Sequence, residues 1–302
     1  PLGKPVHIEG SIVDSAGNEI TSVTTAHEGR GSFSFLPAAT EQYRLRIDKP
    51  VSVTKEVNVP LASDGYFATF TTGESVFEAN DEVRFTLNQR LPAKTMNVSA
   101  YCRGAMVAQQ PISPEALVEQ DGYGSFDGEL QLPAEAQGVI RLTAFDASIE
   151  PPTPIAERLV YRRVGRKLNV QIAADSAGFT PGQSVQLDAA IRDEAESPVP
   201  AVLGISIVDD AVLNLADDKS TRMPTYFHLL TQIDSVHQFE DANFYLSDEP
   251  GSNAALDSLL GTQGWRRFEP VSGMMFAGGS KVGSSGSLGG GGFGGGGAAF
   301  FD

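Results

Sequence analysis

Apolar and polar residues alternate along much of the first half of the chain. Val6, Ile8 and Ile12 are separated by even steps, and Phe33 and Phe35 alternate with serines. Turns rich in glycine, aspartate and asparagine interrupt the alternation about every 8–12 residues, as in antiparallel sheets that bury one face. No helical periodicity competes, so the pattern predicts a β-sandwich module over residues 1–62.

A second, longer stretch keeps the same alternation. Residues 82–87, 96–101 and 139–145 are rich in β-branched and aromatic residues and are bounded by turn residues, which predicts strands. A β-sandwich module takes about 100 residues. The spacing therefore predicts a second sandwich over residues 63–163 and a third that begins at residue 164.

The third stretch changes character part-way along. Residues 184–191 alternate like a strand, and residues 202–208 form a nearly continuous apolar run, which predicts a strand buried on both faces. Apolar residues then recur at three-residue steps over 225–239, and residues 253–260 show a similar pattern, so both read as short amphipathic helices. We expect helices to interrupt the third module, residues 164–270, at about residues 222–262.

Glycine and serine dominate the end of the chain. Between residues 278 and 297 they are interrupted by little more than Lys281, Val282, Leu288 and Phe293. Ordering glycine costs the most backbone entropy, so we predict that residues 271–302 form a flexible, exposed segment. The predicted fold class is all-β: tandem antiparallel β-sandwich modules with a short helical insertion and a Gly-rich flexible tail.

Composition narrows the classes of partner. The 302 residues carry a formal net charge of -16, which disfavours binding to nucleic acid and to anionic membranes, because both need clustered Lys and Arg. No apolar run is long enough to insert into a bilayer, and no signal peptide is visible. Cys102 is the single cysteine, so no intramolecular disulfide can form, and its place in a predicted strand indicates a buried structural thiol.

Residue patterns that carry catalytic or metal chemistry are missing. The four histidines are not spaced as zinc ligands, and the run of glycines lacks the Gly-Lys-(Ser/Thr) ending of a phosphate-binding loop. Asp209, Asp210, Asp217 and Asp218 form the densest acidic cluster but lack the order of a calcium loop. We therefore expect a protein that is not an enzyme, with no catalytic residues, cofactor or metal.

Motifs in the third module resemble those of a known family. Residues 178–183 read Gly-Phe-Thr-Pro-Gly-Gln, and residues 205–215 read Ile-Ser-Ile-Val-Asp-Asp-Ala-Val-Leu-Asn-Leu. In this order they resemble the macroglobulin-like domain that carries the bait region in the alpha-2-macroglobulin and complement family. Residues 77–83 are similar to the strand start of another macroglobulin domain, and the Gly-Trp-Arg-Arg-Phe of residues 264–268 resembles bacterial members. The resemblance implies macroglobulin/Ig-like sandwiches.

The same resemblance gives the Gly-rich tail a role. In that family the macroglobulin domains are a scaffold, and a flexible bait segment inserted after the Val-Asp strand is cut by proteases. Residues 271–302 lie where such an insertion would fall, although a plain linker also fits them. The candidate cleavage positions in this segment are Met274, Met275, Phe276, Lys281, Leu288, Phe293, Phe300 and Phe301.

One feature of the family is missing from the chain. Thioester-bearing members carry Gly-Cys-(Gly/Ala)-Glu-Gln, whereas Cys102 is followed by Arg103 and Gly104, so this chain cannot capture a protease covalently. We expect the scaffold portion of a protease-trapping inhibitor that is extracellular, periplasmic or at the cell surface, with proteases and other domains of the same protein as partners. The alternative is an adhesion or structural array of sandwiches with a Gly-rich tether.

Overall fold

The chain folds into a mostly β structure with several antiparallel sheets and few helices, as the alternation predicts. The computed structural model describes residues 5–35, 37–38, 40–53, 56–60, 68–176, 178–180, 182–205, 207–208, 220–233, 239–262 and 299–301. It divides into two compact units. The larger comprises Pro1–Arg163 and Thr221–Asp302, and the smaller, which we call the hairpin unit, comprises Val164–Ser220.

The first module of the larger unit is a small antiparallel sheet. Its strands are β1 (Glu9–Val13), β2 (Glu19–Thr24), β3 (Gly31–Phe33), β4 (Arg44–Lys49) and β5 (Val57–Asn58). Four of them form one sheet in the order β2-β1-β4-β5. Their alternate apolar side chains, led by Ile12, Val23 and Leu45, pack with Phe33 and Tyr43 in a core of their own.

The second module is a two-sheet sandwich. Its strands are β6 (Ala68–Thr71), β7 (Val76–Phe77), β8 (Val83–Arg90), β9 (Met96–Cys102), β10 (Ala105–Ile112), β11 (Val118–Gln120), β12 (Tyr123–Leu130), β13 (Gly138–Asp146) and β14 (Thr153–Arg162). One sheet has the order β10-β9-β13-β14-β7 and the other β11-β12-β8-β6. Both sheets contribute to a single core that contains Phe85 and Leu87 from β8 and Val98 and Leu142 from the facing sheet.

A third layer of short helices covers the outer face of β13 and β14. It comprises α1 (Met223–His228), a 3-10 turn at Leu230–Gln232, another at Phe244–Leu246, and α2 (Ser252–Thr262). We call residues 221–262 the helical segment. Leu229, Leu256 and Leu259 pack against Val139 and Tyr161 in a second core. Because β13 has a sandwich on one face and helices on the other, it is buried along almost its whole length.

The helical segment differs in two ways from the sequence prediction. Its residues pack with the second module, whereas the sequence placed them inside a third module over 164–270. The single helix predicted over 225–239 is also wrong in extent. Helix α1 ends at His228, where Leu229 leaves helical geometry, because adjacent Leu229 and Leu230 are both buried while Phe227 of the predicted stripe stays exposed. The second predicted helix, over 253–260, is confirmed by α2.

The hairpin unit contains β15 (Asn169–Ala174) and β16 (Leu187–Arg192), which pair antiparallel. The strand predicted over 184–191 is confirmed with a shift of its start. The strand predicted over 202–208 is wrong for the described residues in that range: they belong to no strand, and Val202 and Ile207 are exposed. A buried strand needs sheets or helices on both sides, and the described part of this unit supplies only the hairpin.

No helix in the described ranges combines the length and the apolar composition that crossing a bilayer requires.

Candidate functional site

The helical segment is joined to the first module by a buried polar cluster. The Arg30 guanidinium lies 2.6 Å from the Glu28 carboxylate and donates to the Tyr245 hydroxyl at 2.9 Å, and that hydroxyl donates to Glu28 at 2.5 Å. The backbone N–H of Glu240 donates to the other Glu28 oxygen at 2.9 Å. The side chains of Glu28 and Arg30 are each only 3% exposed. We call Glu28, Arg30 and Tyr245 the latch cluster.

Local backbone geometry places the latch carboxylate. Glu28 lies in a 3-10 turn, His27–Gly29, with φ at 52°, and Gly29 follows with φ at 73°. Two successive left-handed residues turn the chain sharply, and glycine is the residue that accepts this conformation without steric cost. The turn carries Glu28 toward the helical segment instead of leaving it on the surface of the first module.

Aromatic rings surround the latch cluster. The His27 ring stacks on Phe244 with centroids 4.4 Å apart and meets Tyr245 edge-on at 5.2 Å. The Arg30 guanidinium lies 5.3 Å from the centroid of the Phe239 ring, which places the cation close to an aromatic face. The rings exclude water from the ion pair, so its charge-assisted hydrogen bonds are stronger than those of an exposed pair.

Burial and hydrogen bonding act in opposite directions on the Glu28 carboxylate. Burial raises its pKa, but the hydrogen bonds from Tyr245, Arg30 and the Glu240 backbone lower it by more, so the pKa lies below its ordinary value. Glu28 is therefore ionised at neutral pH, and the cluster holds a carboxylate and a guanidinium together.

A second polar contact attaches α2 to the second module. Arg158 on β14 donates to the Ser75 hydroxyl at 2.6 Å and forms an ion pair with Asp257 on α2, while Ser75 also donates to Asp257. These groups line an open polar cavity of about 460 Å³. The Ser75 hydroxyl accepts from Arg158 and donates to Asp257, so it bridges β14 and α2. We interpret this contact as structural.

A third contact holds α1. The Arg103 guanidinium lies 3.0 Å from Nδ1 of His228. Gly138, at the start of β13, has φ at +87°, and a β-carbon there would lie 2.8 Å from the His228 carbonyl oxygen. Burial lowers the pKa of His228, and the positive charge of Arg103 lowers it further, so the imidazole is held neutral.

The Gly-rich residues of the predicted tail lie between two elements of the larger unit. Helix α2 ends at Thr262, and strand β17 (Ala299–Phe301) pairs antiparallel with β3 of the first module. Phe300 lies opposite Ser32, and Phe301 lies opposite Gly31. Helix α2 contacts both β3 and β17. The elements that precede and follow this stretch, α2 and β17, are therefore in contact with each other, and residues 263–298 between them lie outside the described residues.

The candidate cleavage residues fall into two groups. Met274, Met275, Phe276, Lys281, Leu288 and Phe293 lie outside the described residues. Phe300 and Phe301 lie in β17, where their backbone is paired with β3. Asp209, Asp210, Asp217 and Asp218 also lie outside the described residues.

Sequence patterns did not single out the latch cluster. The run Gly29-Arg30-Gly31 marks a turn in the sequence, but nothing in it shows that the arginine between the glycines is buried against a tyrosine more than two hundred residues later. The prediction for Cys102 is confirmed, since its thiol is free and buried. Among the residues that the structure describes, no three His, Cys, Asp or Glu side chains form a group that could hold a metal ion.

Comparison with known proteins adds no relative. No family model matches the chain, and no curated protein matches it. The resemblance to the alpha-2-macroglobulin family therefore rests on the sequence motifs alone.

Proposed function

We propose that this chain is a non-catalytic scaffold of a protease-trapping protein in which the Gly-rich segment is the bait. The observation that carries the proposal is the attachment of both ends of that segment to one compact unit, at Thr262 of α2 and at Ala299–Phe301 of β17. A plain linker between domains has no need to return to the unit that it leaves. When the elements on both sides of a segment belong to one unit, a cut within the segment stays coupled to those elements.

The helical segment is the element that would respond to a cut. It is held on the two modules by the latch cluster, by the contact of Arg158 with Asp257, and by Arg103 and His228. Cleavage between α2 and β17 removes the covalent connection that helps to keep these two elements together. We expect β17 to dissociate from β3 first, because a short edge strand has few hydrogen bonds to hold it.

The partners implied by this proposal are proteases and further domains of the same protein, and the place of action is outside the cytoplasm. Exposed, flexible backbone that a protease can bind as an extended strand is what such a function requires. Covalent capture of the protease is not part of the proposal, because the single cysteine is buried and is not in a thioester sequence.

Cleavage at one defined position tests the proposal. Lys281 is the only basic residue between 271 and 302, so a lysine-specific endoproteinase can cut this segment once. We expect the first cut after Lys281, followed by faster hydrogen exchange in β3 and α2. The Lys281→Ala variant is the matched control and keeps the exchange pattern of the uncut protein. A clean cut after Lys281 with unchanged exchange in β3 and α2 contradicts the bait function and favours a linker.

A second candidate function is an adhesion or structural array of sandwiches. The observation that favours it is the apolar face of the β15–β16 hairpin, where Val170, Ile172 and Leu187 are exposed, since contiguous exposed apolar surface marks interaction sites. In that case cleavage at Lys281 changes nothing in the larger unit, and the isolated chain binds a surface or a partner with equal affinity before and after the cut.

A further inference from the structure

The β15–β16 hairpin is amphipathic, with one apolar and one largely polar face. In the observed register, Val170 lies opposite Ile191, Ile172 opposite Ala189, and Ala174 opposite Leu187. Directly opposed residues share a face and successive residues alternate, so these apolar side chains lie together. The reverse face carries Asn169, Gln171, Ala173, Asp188, Ala190 and Arg192.

After β16 the chain begins to return along the edge of β16 that faces away from β15. A turn over residues 193–197 is closed by a hydrogen bond from the Asp193 N–H to the Ser197 carbonyl at 3.0 Å. Pro198 then forms an antiparallel bridge with Arg192, and the Val199 N–H donates to the Ile191 carbonyl at 3.3 Å. Residues 200–205 continue without strand pairing, and Val202 is fully exposed.

The register of this bridge determines how the returning chain can pair further. Pro198 lies opposite Arg192, and in an antiparallel pair the residue numbers rise on one strand as they fall on the other. Ala201 would therefore lie opposite Ala189, and Leu203 opposite Leu187. Antiparallel partners lie on the same face of a sheet. Val199, Ala201 and Leu203 therefore fall on the apolar face of the hairpin.

Pro198 and Pro200 fit this register, but they would not fit a register shifted by one residue. Because Val199 and Ile191 form a hydrogen-bonded pair, Pro198 and Pro200 occupy positions whose backbone nitrogen points away from β16. Proline lacks an N–H and is tolerated in a strand only where no ladder bond is needed. On an outer edge, Pro200 also discourages pairing with strands of other molecules.

We propose that residues 199–205 form a strap that closes along β16 as a third antiparallel strand in this register. The strap is a segment of this chain, and the structure has it paired at its first residue and open beyond. Closure gives hydrogen-bond partners from the strap to the backbone groups of Leu187 and Ala189 that point away from β15. It also places Val199, Ala201 and Leu203 on the apolar face that the hairpin already exposes.

A register-specific cross-link tests the strap. Asp188 and Val202 would form a non-hydrogen-bonded pair, whose Cα atoms lie about 4.5 Å apart, a distance that a disulfide can span. In a Cys102→Ala background, the Asp188→Cys, Val202→Cys variant is expected to cross-link almost completely under mild oxidation. The control is Asp188→Cys with Leu203→Cys, which would lie on opposite faces. Equal cross-linking of both pairs, or none in the first, overturns the proposal.

Proline substitution gives an independent measurement. Ala201 would donate its N–H to Ala189, whereas the N–H of Val202 would point outward. We expect the amides of Leu187 and Ala189 to exchange at least about tenfold more slowly than unstructured amides in the wild-type chain and in Val202→Pro. Ala201→Pro is expected to lose this protection. Protection that is absent in the wild type, or that survives Ala201→Pro, rules out the strap.

Discussion

The Tyr245 hydroxyl donates a 2.5 Å hydrogen bond to the carboxylate of Glu28, a residue 217 positions earlier in the chain. The phenol is 1% exposed, so the bond lies away from water. It connects the first module to the helical segment. The loss of stability when this bond is removed therefore reports how much it contributes to holding the helical segment on the first module.

Replacing Tyr245 with Phe removes that hydroxyl and keeps the ring. We expect the free energy of unfolding of the larger unit to fall by about 1–3 kcal/mol, because the buried Glu28 carboxylate loses a donor that water cannot replace. Urea denaturation followed by circular dichroism measures the change. Tyr226→Phe is the control, because Tyr226 is exposed. Equal effects of the two substitutions would show that the latch hydroxyl contributes nothing specific.

The buried pair of Glu28 and Arg30 should behave as one unit. Glu28→Gln and Arg30→Met each leave a buried partner unmatched, which costs about 3–5 kcal/mol in buried pairs. The double variant is expected to be less destabilised than the sum of the two single variants, with a coupling of about 1–3 kcal/mol in denaturant unfolding. The exposed pair of Arg84 and Glu129 is the comparison, and its cycle should give a coupling close to zero. Additive effects at Glu28 and Arg30 would contradict this account.

Substitution of Gly138 is expected to destabilise the protein both through its positive φ and through a clash with α1, and Gly104 serves as the control for the first effect. Gly138 and Gly104 both have positive φ, but a β-carbon at Gly104 meets no atom within 4 Å, whereas one at Gly138 would meet the His228 carbonyl oxygen at 2.8 Å. Gly104→Ala should cost about 1–2 kcal/mol from backbone strain alone. Gly138→Ala should cost about 1–3 kcal/mol more, because α1 must move. Equal losses of stability in thermal unfolding would mean that α1 does not pack closely on β13.

His228 should make the stability of the larger unit depend on pH. Its pKa is lowered from 6.5 by burial and by Arg103, so the folded state binds the proton less readily than the unfolded state. This contribution to stability is fully present above pH 6.5 and is lost as the pH falls through the lower pKa of the folded state. Titration of the imidazole by NMR should show a higher pKa in Arg103→Met. Arg84→Met, at an exposed position on β8, is the control and should leave the pKa of His228 unchanged.

The local pattern of the chain determined the β-rich character of the protein and the positions of several strands along the sequence. Alternation correctly placed strands at 82–87, 96–101 and 139–145, because a half-buried or fully buried strand must present apolar residues at fixed intervals. The apolar pattern of 253–260 likewise identified α2, and the position of Cys102 within a strand identified its burial. A strand or helix must present an apolar face whichever element buries it, so its position along the chain can be predicted from the sequence alone.

Only the tertiary structure decided which element covers which. The helical segment packs on β13 and β14, although the sequence placed it within the third module, and the run at 202–208 is left without a strand along its described residues. The same holds for the latch cluster, since Glu28, Arg30 and Tyr245 are unremarkable polar residues until folding buries them together. Periodicity shows which face of an element must be buried, but it does not show which other element packs on that face, because apolar burial is not directional. A buried ion pair exists only once distant segments have met.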